Sequence, residues 1–262
     1  MHNRIDELFG RLGKEKRKGF IPYICAGDPT LKRTVDLAFA LEKAGAHLLE
    51  LGLPFSDPLA DGIVNQLAAQ RALSAGATIR GVFDCVRKIR AKSQIPLVLY
   101  TYLNPIFQFG VGKFHREAAD AGVDGLLILD LPPEEDIEPS DTGIYHIRLI
   151  APTTPPERIQ RIAQTGKGFL YYVSREGVTG ARDSIATSLT EKVAELRKYS
   201  SLPVAVGFGI SNPNQARSVA AVSDAVVVGS AIVNLIAKHG DSSAMVEKVS
   251  EFAREIAQSI NR

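Results

Sequence analysis

Eight short, almost uninterrupted apolar runs recur along this chain, and they limit its fold more than any other feature. They are Phe20 to Cys25, His47 to Leu51, Pro96 to Tyr100, Gly125 to Leu129, Tyr145 to Ile150, Phe169 to Val173, Val204 to Val206 and Ala225 to Val228. Runs rich in leucine and β-branched residues, without polar alternation, read as strands buried on both faces, the condition of a parallel sheet. Amphipathic segments separate them: Leu31 to Ala44 sets Leu31, Val35, Ala38 and Leu41 at helical spacing, and Val193 to Tyr199 and Pro213 to Val222 follow the same rule. Eight such units with no Pro/Ser-rich linker predict one closed (β/α)8 barrel, a TIM barrel, spanning residues 1–262 as a single domain. The alternative, an open doubly wound sheet, wants a glycine-rich dinucleotide turn after the first strand. Ala26-Gly27-Asp28-Pro29 is not one.

Two departures from a plain barrel are expected. Arg4 to Leu12 reads as an extra helix capping the barrel floor. Between the fourth and fifth runs, Pro132, Pro133, Pro139 and Gly143 leave room for at most one helical turn, so the fourth α unit is shortened. Two segments echo each other, Ala44 to Leu51 and Ala121 to Leu131, each a helix stopped at Gly and turned into a strand that ends in an acid, Glu50 or Asp130.

Composition removes several classes of function. A net charge of +2 predicts neither a nucleic-acid grip nor a polybasic membrane patch. Two cysteines, Cys25 and Cys85, exclude a disulfide scaffold and suit a reducing compartment. The first residues hold no apolar signal core, and Ala225 to Ala237 is too short to span a bilayer. A cytoplasmic chain is expected.

In a barrel, chemistry sits at the C-terminal ends of strands and in the loops that follow. Glu50 closes the second run, where a carboxylate must find a partner, meet solvent or carry a raised pKa. The loop beyond it holds two further acids, Asp57 and Asp61, among stiffening prolines. The plainer reading is a capping acid and an ordinary polar loop. Runs seven and eight lead into Gly207-Phe208-Gly209-Ile210 and Gly229-Ser230-Ala231, turns that bring backbone N–H groups and a helix N-terminus to an anion. Simple tight turns are the alternative. The sixth run exits into Ser174 to Asp183, a polar loop with hinge glycines Gly177 and Gly180, which reads as a mobile lid or as an ordinary surface loop.

No lysine stands at a strand's C-terminal end, which argues against a Schiff-base aldolase. No histidine does either: His47 and His146 fall at strand starts, while His115 and His239 lie on helical or surface segments and read as solvated. Carboxylate acid–base chemistry on a phosphorylated substrate, without a metal, is what remains. Tyr23, Tyr100, Tyr102, Tyr171, Leu129 and Phe208 lie near the mouth and wall an aromatic pocket, or serve only as barrel core.

Phe55-Ser56-Asp57-Pro58-Leu59-Ala60-Asp61-Gly62 after Glu50-Leu51-Gly52, with Gly177-Val178-Thr179-Gly180, Gly207-Phe208-Gly209-Ile210 and Gly229 to Val233, resembles the tryptophan synthase α chain family over essentially the whole length. The resemblance implies retro-aldol cleavage of indole-3-glycerol phosphate to indole and glyceraldehyde 3-phosphate. It also implies an α2β2 partnership in tryptophan biosynthesis with a β chain that carries pyridoxal phosphate, this chain itself using no cofactor. By that resemblance Glu50 is the general acid/base and Asp61 the carboxylate for the indole N–H. Gly180, Gly207, Phe208, Gly209, Gly229 and Ser230 form the phosphate cradle. Tyr23, Tyr100, Tyr102, Leu129 and Tyr171 line the indole pocket, with Phe208 beside them. Arg175, Gly177 and Thr179 belong to the lid. Pro54, Ser56, Asp57 and Pro58 face the β chain, with Asn104, Pro105 and Phe107 to Phe109 nearby. The alternatives are a weakly catalytic barrel that mainly activates the β chain, and a two-acid isomerase of phosphorylated sugars.

Overall fold

The computed structural model describes residues 3–135, 137, 142–173, 182–207 and 209–261, and for 182–188 the backbone alone. Nine strands form one parallel sheet: β1 Gly19–Cys25, β2 Leu49–Gly52, β3 Leu97–Thr101, β4 Gly125–Ile128, β5 Tyr145–His146, β6 Arg148–Ile150, β7 Leu170–Val173, β8 Val204–Gly207 and β9 Ala225–Val228. The ladder order is β5-β4-β3-β2-β1-β9-β8-β7-β6. Its two ends are consecutive in the chain. The run from Tyr145 to Ile150 pairs with β4 through Tyr145 and His146, passes Ile147, and pairs with β7 from Arg148 onward. The eight runs of the sequence thus become nine ladder segments, and the sheet curls into a barrel that meets itself at Ile147.

Helix α1 Arg4–Glu15 closes one end of it, and the others follow as α2 Leu31–Lys43, α3 Ile63–Ser74, α4 Ile79–Arg90, α5 Leu103–Phe109, α6 Val111–Ala121, α7 Pro156–Thr165, α8 Arg182–Tyr199, α9 Pro213–Ala220, α10 Ser230–His239 and α11 Ala244–Ser259. Local chemistry sets their ends. Thr30 and Asn212 accept hydrogen bonds from Arg33 and Gln215 backbone amides as N-caps, and α6 stops at Gly122, whose φ of 99° suits glycine. Where single crossovers were expected after the second and third runs, each holds two helices, α3 with α4 and α5 with α6. Among the described residues no helix lies between β4 and β5, in keeping with the shortened fourth unit. Among the described residues no helix is long and apolar enough to cross a membrane.

Period-two alternation sorts every strand. Leu49, Leu51, Leu97, Leu99, Val226 and Val228 face the helices. Ile21, Val98, Leu127, Ile147, Ala205, Ala225 and Val227 face inward, and Ile5, Leu8, Phe9 and Leu12 of α1 close that inner core from below. Asp124 fastens this floor: its carboxylate accepts from Arg4, Arg90 and the Leu97 amide.

His115 corrects the sequence reading. It is fully buried on α6, with Nδ1 2.8 Å from the Val111 carbonyl and Nε2 3.0 Å from His146 Nε2. The two buried rings meet through their Nε2 atoms, so each gives the other a polar partner. The two echoing acids also part ways. Asp130 lies beyond β4, where its carboxylate accepts the Leu103 amide at the start of α5.

Candidate active site

The alternation that sends Leu49 and Leu51 outward turns Glu50 into the barrel. It stands between Tyr23 on β1 and Val98 on β3, is 1% exposed, and no described residue makes a hydrogen bond to its carboxylate. Burial first, and then the Asp61 charge, push its carboxyl up to about 8. At neutral pH it is a carboxylic acid inside an apolar cylinder.

Asp61 sits in the loop between β2 and α3 and leans on β3. Tyr100 Oη donates to its Oδ1 at 2.8 Å, and Tyr102 Oη donates to its Oδ2 at 2.9 Å. Asn65 Nδ2 lies 3.3 Å from Oδ1, and Gln66 Nε2 donates to the Asp61 carbonyl. Burial and the Asp61 charge push the phenols of Tyr100 and Tyr102 up, so both remain donors. Tyr23 meets Tyr100 edge-on, with centroids 5.1 Å apart, and Phe55 leans on Tyr102 at 5.5 Å. Tyr171, inward on β7, is buried, and its phenol is also pushed up by burial, Glu50 and Asp61. Two carboxyl groups and four tyrosines, Tyr23 on β1, Tyr100 on β3, Tyr102 just past β3 and Tyr171 on β7, therefore share one end of the barrel.

Leu129 follows β4 and packs against the inner cluster, while also bordering an outer cavity of about 290 Å³ beside β6 and α7. Gly207 ends β8 and faces inward. A Cβ there would stand 2.6 Å from the Tyr171 hydroxyl, so the missing side chain gives clearance to that ring. Gly209 adopts φ +68°, a left-handed turn, and Gly229 caps α10 with no side-chain hydrogen bond. Ser230 opens that helix right after β9. Phe208, Arg175, Gly177, Thr179 and Gly180 lie outside the described residues. Pro54 and Pro58 are half-buried, and Ser56 and Asp57 are exposed, with Ser56 donating to the Asp57 carboxylate. Leu59 beside them is 90% exposed and Phe107 68%. Among the described residues no group of three or more His, Cys, Asp or Glu is arranged to hold a metal.

The sequence model of the tryptophan synthase alpha chain family matches residues 9–261. The chain belongs to this family. A tryptophan synthase alpha chain from Opitutus terrae is 49% identical across 99% of this chain and 100% of that one. One from Geotalea daltonii is 52% identical across 88% and 89%. Among solved structures, the tryptophan synthase alpha subunit of Legionella pneumophila superposes with a TM-score of 0.89 at 38% identity, covering 99% of both chains. A structure from the mutual activation of the tryptophan synthase α2β2 complex of Pyrococcus furiosus gives 0.84 at 38% identity, covering 92% of this chain and 98% of that one. Tryptophan synthase alpha chains are lyases that cleave indole-3-glycerol phosphate to indole and glyceraldehyde 3-phosphate. The isomerase alternative falls with this assignment.

Sequence reasoning missed Asn65 and Gln66 as groups that hold Asp61. Their one signal is spacing: four and five residues after the acid, on the first turn of α3, they can reach back to it.

Proposed function

We propose that Glu50 and Asp61 carry the retro-aldol cleavage, in one barrel domain spanning residues 1–262. The observation behind this is the buried Glu50 carboxyl, pushed up to about 8 beside Asp61. Two carboxyl groups in unlike surroundings divide the work, one moving protons and the other staying charged. Protonated Glu50 gives its proton to the indole ring carbon that bears the glycerol chain. The ring nitrogen becomes positive, and Asp61 accepts its N–H and stabilises that charge. Glu50, now a carboxylate, removes the proton of the adjacent hydroxyl. The carbon–oxygen double bond forms, the carbon–carbon pair returns to the ring, and indole and glyceraldehyde 3-phosphate leave with Glu50 reprotonated.

The phosphate rests on the backbone amides at the start of α10 with Ser230, and on the turns holding Gly209 and Gly229. Gly180, Gly207 and Phe208 complete the cradle, and Arg175, Gly177 and Thr179 belong to the covering lid. Tyr23, Tyr100, Tyr102, Leu129 and Tyr171 enclose the indole. This chemistry calls on no cofactor or metal in this chain. Pyridoxal phosphate belongs to a β chain, which docks over Pro54, Ser56, Asp57 and Pro58 and receives the indole in an α2β2 assembly. Both chains work in the cytoplasm.

Indole release from indole-3-glycerol phosphate, measured with and without a β chain, tests this reading. E50Q should abolish release while a phosphate ligand still binds. Substantial turnover in E50Q would sink the role given to Glu50.

A further inference from the structure

Asp61 has four acceptor positions, two on each carboxylate oxygen. On Oδ1 both are taken, by Tyr100 Oη at 2.8 Å and Asn65 Nδ2 at 3.3 Å. On Oδ2, among the described residues, one is taken, by Tyr102 Oη at 2.9 Å. The direction of that last bond is fixed, because the Tyr102 oxygen itself accepts the Ala60 amide at 3.0 Å and so turns its own proton to Asp61. The loop backbone is tied as well, with the Asp61 amide on the Pro58 carbonyl and Gln66 Nε2 on the Asp61 carbonyl. Tyr100 is held by the edge-on Tyr23 ring.

We infer that Tyr100 and Asn65 are positioning residues that close Oδ1, so that the substrate's ring N–H is received by Oδ2 alone. This rests on the role proposed for Asp61. Tyr100 then does more than wall the pocket: it selects which oxygen the indole faces, and with it the presentation of the ring carbon to Glu50. Asn65 can make its bond only through the amide nitrogen, since a carboxylate accepts and never donates. Its own Oδ1 is left buried without a partner, a state that polar groups normally avoid. That amide oxygen is a second open acceptor in the same wall, but it is neutral and cannot stabilise a positive ring nitrogen as an ionised carboxylate can.

Freeing Oδ1 offers the N–H a second seat on the same carboxylate. Binding is kept, but part of the bound substrate is turned away from Glu50, so the loss appears in kcat. The test measures kcat and KM for indole release in the wild type, Y100F and N65L, with thermal melts to show that each is folded. Y100F is expected to lose about tenfold in kcat with KM changed less than about twofold, and N65L to show the same pattern more weakly. A raised KM at unchanged kcat in Y100F would mark a plain pocket wall and overturn the inference. So would wild-type constants in both variants, and N65L keeps the test open should Y100F fail to fold. Absence of indole release from the wild type would instead sink the proposed function, so the two failures are distinguishable.

Discussion

The Tyr23 hydroxyl lies so close over Gly52 on the next strand that a Cβ on Gly52 would stand 2.3 Å from its oxygen. Tyr23 and Gly52 face inward together, and Tyr23 supports Tyr100 in turn. G52A should therefore overpack the barrel and cost about 1–3 kcal/mol, read as a lower melting temperature, and should slow indole release by displacing Tyr23. In a Tyr23→Leu background the same change should cost less, since the colliding ring is gone. Equal costs in the two backgrounds would contradict the contact.

Glu50 gives a pH dependence with a definite sign. Its carboxyl is pushed up to about 8 in the folded chain, against 4.5 for the ordinary group. Between those values the unfolded chain gives up a proton that the folded chain keeps, so stability is highest at the acid end and declines as pH rises through about 8. E50Q removes this decline. Urea midpoints at pH 5 and pH 8 should show the wild type falling behind E50Q at the higher value, and a constant gap would refute the shift.

Asp28 is 1% exposed and receives two hydrogen bonds from Arg71, at 2.8 and 2.7 Å, tying the loop after β1 to α3. R71M leaves that carboxylate buried and unpaired, at a loss of about 3 kcal/mol. D28N placed on top of R71M should recover much of the loss, as judged by the urea midpoint. A double variant no better than R71M would show that packing of Arg71, not the charge of Asp28, matters there.

Leu59, in the loop proposed to meet the β chain, and Phe107 are the two most exposed large apolar side chains among the described residues, with Ile63 next. L59D and F107D should leave the isolated chain's melting temperature nearly unchanged, because neither side chain is buried. Each should weaken β-chain association at least about tenfold, measurable by sedimentation of the mixed chains. Unaltered association in both would move the docking surface elsewhere.

The barrel is legible in the sequence because strands buried on both faces must be apolar throughout, and an acid within such a run is conspicuous. Glu50 stands out for that reason. Tyr100 and Tyr102 read as pocket wall, but their grip on Asp61 does not show, since they lie 39 and 41 residues away and only the curl of β2 beside β3 brings them together. The pairing of His115, read as solvated, with His146, read as a strand start, is hidden for a related reason. A polar ring on a helix suggests water, and nothing in the spacing reveals that another ring waits 31 residues on. Gly207 reads as a turn glycine, whereas its inward neighbour Tyr171 is what demands the missing side chain.

The meeting of the sheet at Ile147 also governs how the cylinder opens. Every other strand from β1 to β9 is gripped on both sides, but β5 holds only β4 and β6 holds only β7. The join therefore rests on ladders of two and three residues. Amide protons along this line should exchange with solvent sooner than those of β1 and β2, because a short ladder unzips without disturbing the rest. The chain is in effect a sheet rolled shut along one seam, with Glu50 on the far wall, where breathing at the seam disturbs it least.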